Sequence, residues 1–324
     1  MNSSSVKYII KTIIYILIIS FVADKVVFYG LNKISDTVYS GQGIGKLNQY
    51  LQIKDDIEFI VFGSSRANHN IDPIKVSENS FNMGMDGRKL VYSATLIKLL
   101  PNEKKQTILL HIDPENAFNK NYSGDDILAL SSKYNRNSLI KQEIDKLKQN
   151  NLLQNFYWSI SYNNKVLGIL KNYLKPKYNY KTYSGYDPIY VSENQREIFQ
   201  NILDKDEKET SEKEIDCQKE LVLNEIYYDY IIELSEFCKE NNKTLIIFTS
   251  PVFDDGCSDD NIELNKILKN KNLGYYDFTN FFKENNNFEY WKDKTHLSNK
   301  GAEIFSGKIK TLFGEKRKPN NGYK

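Results

Sequence analysis

The sequence predicts an α/β fold: a three-layer, doubly wound sheet of five parallel strands in flavodoxin-like arrangement. A mainly helical insertion interrupts it mid-chain, and a transmembrane helix precedes it. Three observations carry the prediction. Short apolar runs alternate with stretches whose apolar residues recur every three or four positions, as strands and crossover helices do. That rhythm fails between residues 119 and 215 and then resumes. The N-terminus places a long apolar run behind Lys7 and Lys11.

Residues 12–23 carry no charge, which is short of the roughly 20 residues a bilayer span needs. Lys11 can snorkel, and Val26, Val27 and Phe28 extend the apolar character past Asp24 and Lys25. No small-x-small cleavage site accompanies Ser20 and Ala23, so residues 1–30 read as a cytoplasmic tip and an uncleaved single-pass anchor. Lys7 and Lys11 on the inner side put the remainder outside the cytoplasm. The alternative is a buried N-terminal helix. Residues 31–54 read as a stalk, with Gly41, Gly43 and Gly45 interrupting any helix.

The sheet elements follow in order. Residues 57–62 form a buried strand ended by Gly63, and 81–83 a short second strand. Leu90, Ala94 and Ile97 have helical spacing and lead to a third strand at 107–112. Leu223, Ile226, Tyr227, Tyr230, Leu234 and Phe237 mark a helix face before a fourth strand at 244–248. A helix at 262–268 and a fifth strand at 275–278 come next. Ser298 then caps a last helix carrying Ile304, Phe305, Ile309 and Leu312. The core domain is therefore 55–118 with 216–314, the insertion 119–215, and 315–324 a basic tail. Aromatic residues crowd the insertion at Phe156, Tyr157, Trp158, Tyr162, Tyr178, Tyr180, Tyr183 and Tyr186. They read either as a sugar-stacking groove or as the insertion's own core or a partner interface. The charged run at 204–214 reads as a solvated face.

Composition excludes some classes. Forty-four basic and 42 acidic residues leave a net charge of +2, which is no footprint for nucleic acid. Cys217, Cys238 and Cys257 have neither CxxC spacing nor an even count. A helix over 219–240 would hold Cys217 and Cys238 roughly 30 Å apart, leaving only a bridge to Cys257 open. No His/Cys cluster has ligand spacing, so no metal or cofactor is expected.

Sites in such a sheet lie at the C-terminal ends of strands. There, Gly63-Ser64-Ser65-Arg66 presents serines at a tight turn, and near the other end of the chain Asp293-Lys-Thr-His296 opens the last helix. A serine hydroxyl needs a base, histidine can supply it, and an aspartate can hold the imidazole. The same residues also suit a capped strand turn and a surface pair capping a helix. Either Ser64 or Ser65 fits the turn. Arg66 reads as a contact for an anionic or carbonyl group or as half of a surface ion pair. His69 reads as a substrate contact or a structural turn residue, and His111 as a satisfied, partly buried side chain.

These blocks resemble the SGNH (GDSL-like) hydrolase superfamily. Gly63-Ser64-Ser65 is similar to its first block, with Ser64 where aspartate is usual and Ser65 in the nucleophile register. Asn82-Met83-Gly84-Met85-Asp86-Gly87 resembles the second, which implies an oxyanion contact from the Gly87 N–H. Asp293-x-x-His296-Leu297 resembles the last. The third block departs: Gly-x-Asn-Asp is usual where this chain reads His111-Ile-Asp113-Pro-Glu115-Asn116. Asn116 is then the side-chain oxyanion donor, one residue out of register. The resemblance covers 55–118 and 243–313. It implies catalysis by Ser65, His296 and Asp293, an oxyanion held by Ser65, Gly87 and Asn116, and substrate contacts from Ser64, Arg66, His69 and Asn82.

The "GSSR" start, anchor and insertion resemble membrane-bound SGNH proteins of bacterial cell-surface polysaccharide modification, like those of alginate O-acetylation and teichoic-acid D-alanylation. This implies acyl-ester transfer at the inner or cytoplasmic membrane, with an acyl donor, a polysaccharide acceptor and a multi-spanning O-acyltransferase as partners. A carbohydrate or lipid esterase, or a non-catalytic polysaccharide-binding or assembly protein, would share the fold.

Overall fold

The computed structural model describes residues 3–210, 221–255 and 258–314. In chain order the elements begin with α1 (Ser3–Ser35), α2 (Ile44–Ile53), β1 (Phe59–Phe62), α3 (Ser65–Asn70), α4 (Pro73–Val76), β2 (Ser80–Asn82), α5 (Leu90–Ile97), β3 (Gln106–His111) and α6 (Pro114–Ala117). Next come α7 (Ser138–Lys146), α8 (Leu152–Phe156), α9 (Val166–Leu174) and α10 (Glu193–Thr210). Then follow α11 (Glu225–Glu240), β4 (Lys243–Thr249), α12 (Asp259–Asn270), β5 (Tyr275–Asp277) and α13 (Asn299–Phe313). The chain divides into two units, one of residues 1–49 with 127–180, the other of 50–126 with 181–324.

The second unit is built on one sheet of five strands in the order β2-β1-β3-β4-β5, every pair parallel. Strand side chains alternate between faces. Phe59, Val61, Leu109 and Phe248 join Ala67 of α3 and Phe305 and Ile309 of α13 in one core cluster. Phe62 instead meets Tyr50 edge to face, with ring centroids 5.8 Å apart. Helices α3, α4 and α13 pack together, as do α5 and α11, so both faces of the sheet are covered. Trp291, Phe305 and Ile309 are all inaccessible to solvent, each burial contributing about 2–3 kcal/mol. The strand order reverses between β1 and β3, so the crevice beyond their C-terminal ends is the place for a site.

The first unit contains α1, 33 residues and about 50 Å long, which is long and apolar enough to cross a membrane. Its C-terminal part packs on α9 and on the turn at residues 158–162, around Phe28, Val38, Ile44, Tyr162 and Ile169. Residues 31–49 are therefore not a free stalk. Gly41 and Gly43 do break the helix, with φ +85° and +79°. Gly45 does not: it lies inside α2, and a Cβ there would stand 2.0 Å from the Ser40 carbonyl oxygen.

The insertion does not behave as one body over 119–215. Residues 127–180 belong with α1, while 181–210 return to the sheet unit. Its aromatics serve packing: Trp158 and Tyr162 meet Phe28, and Tyr180 stacks on Tyr39. Tyr186 packs against the sheet unit's core and Tyr183 against Phe81. Within 204–214, the described part forms the end of α10. Cys238 is a free, buried thiol, whereas Cys217, Cys257 and the basic tail lie outside the described residues.

Candidate active site

Gly63 ends β1 with φ +141°, and a Cβ there would stand 2.6 Å from that of His111 on β3. Only glycine lets the two strand ends come this close. Ser64 then caps α3, its Oγ accepting the Arg66 N–H at 3.3 Å. Ser65 is the first residue of α3, so its N–H has no acceptor within the helix.

The distant turn is folded largely by its own residues. Trp291 and Leu297 pair as an antiparallel bridge, and the Lys292 N–H donates to the His296 carbonyl at 2.9 Å. Inside this loop Asp293 Oδ1 accepts the N–H groups of Thr295 at 3.0 Å and His296 at 2.9 Å. The same carboxylate lies 2.9 and 3.1 Å from His296 Nδ1. A proton on Nδ1 facing the carboxylate leaves the Nε2 lone pair free. That nitrogen is 2.8 Å from Ser65 Oγ. Ser65, His296 and Asp293 thus form one chain of hydrogen bonds. Ser64 Oγ points elsewhere, 3.3 Å from Nδ1 of His111.

Electrostatics favour this arrangement. Partial burial pushes the Asp293 carboxyl upward, but hydrogen bonds from His296, Lys292 and Thr295 outweigh it and hold the group well below the usual carboxylate range. His111 is driven the other way. Burial, with the charge of Arg66 nearby, keeps its imidazole neutral. The expectation of a satisfied, partly buried His111 is corrected here: it is fully buried and its Nε2 has no hydrogen-bond partner.

Arg66 is neither a surface ion pair nor an open anion contact. It is buried, pairs with Asp113 at 3.3 Å and donates to the carbonyls of Ser250 and Pro251. It thereby ties α3 to the loops after β3 and β4. The Asn82 amide is also internal, donating to the Ala67 and Ile71 carbonyls and accepting the Gly84 N–H, which spends it on the scaffold. Gly87 follows on an exposed turn with φ +68°. Asn116 sits half-exposed on α6, and no hydrogen bond joins it to Ser65 or His296.

His69 lies beside the triad, its ring centroid 5.8 Å from that of His296. Its Nδ1 is 2.6 Å from the Asp187 carbonyl and its Nε2 3.1 Å from the Asp86 carboxylate. Burial lowers its pKa, but the Asp86 bond and the Asp187 carbonyl more than compensate and raise it. Two supporting residues, Asn68 and Asn70, escape sequence reading. Asn68 donates to Asp86 at 3.0 Å, which fixes the residue next to Gly87 against α3. Asn70 accepts the Leu297 N–H at 3.0 Å and donates to Ser250 at 2.8 Å, joining α3 to the histidine turn. The signal was present as a polar run, Ser64 to Asn70, in a segment that the topology puts at the centre of the fold.

Compared with known proteins, the chain matches no family profile, no curated protein and no solved structure.

Proposed function

We propose that this protein is an extracytoplasmic, membrane-anchored serine enzyme of SGNH type that works on acyl esters. The observation that carries the proposal is the 2.8 Å contact of Ser65 Oγ with His296 Nε2, backed by Asp293 on the far nitrogen. In the reaction, His296 takes the Ser65 proton as Oγ attacks the ester carbonyl. The negative charge that develops falls to the N–H groups of Ser65 and Gly87. His296 then protonates the leaving oxygen, and an acyl-serine remains. Asp293 holds the ring and stabilises the imidazolium without itself taking the proton.

Water as acceptor makes an esterase; a sugar hydroxyl makes an O-acyltransferase. The apolar α1 and the resemblance in the sequence favour transfer, with an acetyl-like group passing to a cell-envelope or exported polysaccharide. Lys7 and Lys11 before the apolar run favour an outward-facing domain. A multi-spanning membrane O-acyltransferase as source of the acyl group fits this placement.

The test is covalent labelling. A fluorophosphonate probe should modify the wild type at Ser65, and Ser65→Ala should abolish modification while Ser64→Ala leaves it. An unlabelled wild type, or a Ser65→Ala variant that still labels, would rule the proposal out. Acetyl transfer to an envelope polysaccharide, against release of acetate to water, then separates transferase from esterase.

A further inference from the structure

Helix α8 stands against α1 at a height that matters. The Phe156 ring lies 4.9 Å from Phe21, and the Tyr157 hydroxyl 2.9 Å from that of Ser20. If α1 spans a bilayer, Lys7 and Lys11 limit how far it can slide. Placing Phe21 outside the hydrocarbon would carry both lysines deep into it, given roughly 20 residues per span. Ser20 and Phe21 therefore lie within the last turns of the span, and whatever touches them lies there too.

The chemistry of α8 agrees. Leu152 is 86% exposed, Leu153 59% and Phe156 42%, an apolar surface that nothing in its own unit covers. Its backbone is suited to a shallow apolar setting. The Asn151 side chain accepts the Leu153 N–H at 2.8 Å, and the Tyr157 N–H reaches the Leu153 carbonyl. Just above, Asp24 accepts the N–H groups of Trp158 at 2.8 Å and Ser159 at 3.0 Å, while Lys25 sits 4.2 Å from the Trp158 ring centroid. Tyrosine and tryptophan at this level are the residues of a membrane–water boundary.

We infer that α8 is a second membrane-contacting element: Leu152, Leu153 and Phe156 insert into the leaflet on the side of the folded domains, with Tyr157 and Trp158 at the headgroups. The occupant of this surface is lipid. The inference rests on α1 spanning the bilayer, as proposed above, and anchors the unit at two points instead of one.

The test places the full-length protein in nanodiscs whose lipids carry brominated acyl chains, which quench tryptophan on contact. Single tryptophans are introduced as Leu153→Trp and, within α1, Leu17→Trp, in a Trp158→Phe/Trp291→Phe background. Both should lose most of their emission to brominated lipid and resist aqueous iodide. Quenching of Leu17→Trp alone, with Leu153→Trp open to iodide, overturns the docking of α8 and leaves the anchor standing. A Leu153→Trp shielded from both quenchers also overturns it, because protein then covers the surface. An unquenched Leu17→Trp instead removes the anchor on which the inference stands. Should the double phenylalanine background misfold, the same lipids applied to wild type and Trp158→Phe serve: the quenched component must vanish with Trp158.

Discussion

The two halves of the candidate triad are held in opposite ways. His296 and Asp293 sit three residues apart in a loop closed by its own backbone, and Asp293 bonds to side chain and main chain of the same turn. Ser65 sits on a helix of six residues that could not stand alone. Its neighbours reach outward, Arg66 to Ser250, His69 to Asp187 and Asn70 to Leu297. The His296–Asp293 pair is preassembled locally, whereas Ser65 is positioned by the whole fold. Substitutions in the turn should therefore damage chemistry before stability, and substitutions on α3 should damage both.

The largest effect is expected from Asp293→Asn. The amide oxygen can still accept from Thr295 and His296, so the loop should keep its shape. The amide N–H, however, faces Nδ1 and forces the proton onto Nε2, which then cannot accept from Ser65. The labelling rate should fall by roughly four orders of magnitude, while the melting temperature near neutral pH should drop only by the share that the carboxylate's charge contributes. Because the folded state holds this carboxyl below its ordinary value of 3.8, its stabilisation is complete above that value and is lost as pH falls through the lower, folded-state one. The variant should thus lose less stability than wild type in strong acid. A matching loss of melting temperature at neutral pH would show the turn is not self-sufficient.

Asn70→Ala tests the other half. It strips partners from the buried Leu297 N–H and from the Ser250 hydroxyl, both inaccessible to solvent. A loss of about 2–3 kcal/mol in denaturant unfolding is expected. Labelling should slow as well, since Leu297 directly follows His296, the proposed base. Full stability with slowed labelling would mean that Asn70 orients the site without holding the fold.

This contrast also explains what could be read in advance. Five strands were legible because apolar runs such as 57–62 and 244–248 carry their own pattern, and Asp293-x-x-His296 was legible because its geometry is local. The polar residues of α3 were not, since Asn68 and Asn70 have meaning only through partners such as Asp86 and Leu297. The division of residues 119–215 between two units was equally hidden. It depends on Trp158, Tyr162 and Ile169 packing on α1, a choice that composition does not record. Gly45 misled for the same reason: its need for glycine comes from the Ser40 carbonyl, not from a turn at its own position.

His69→Gln should have a smaller, pH-dependent effect. Both ring nitrogens face acceptors, so the imidazolium form makes both contacts. With its pKa raised, this stabilisation is complete below the ordinary value of 6.5 and fades as pH rises through the folded-state value. The difference in melting temperature between wild type and variant should therefore shrink from mildly acidic to mildly alkaline buffer. A constant difference would assign His69 to packing alone.

The smallest effect is expected from Lys292→Met. Lys292 Nζ stands 2.8 Å from Asp293 Oδ2, but both side chains are about one third exposed. An ion pair so wetted is worth roughly 0.5 kcal/mol or less, hence about a twofold change in labelling rate that added salt should erase. The same carboxylate keeps its bonds to Thr295 and His296, which are nearer to the chemistry and do not need Lys292. If labelling instead fell tenfold or more and salt did not mimic the loss, Asp293 would owe its position to a charge at the surface. The two halves of the triad would then differ less than their hydrogen bonds suggest.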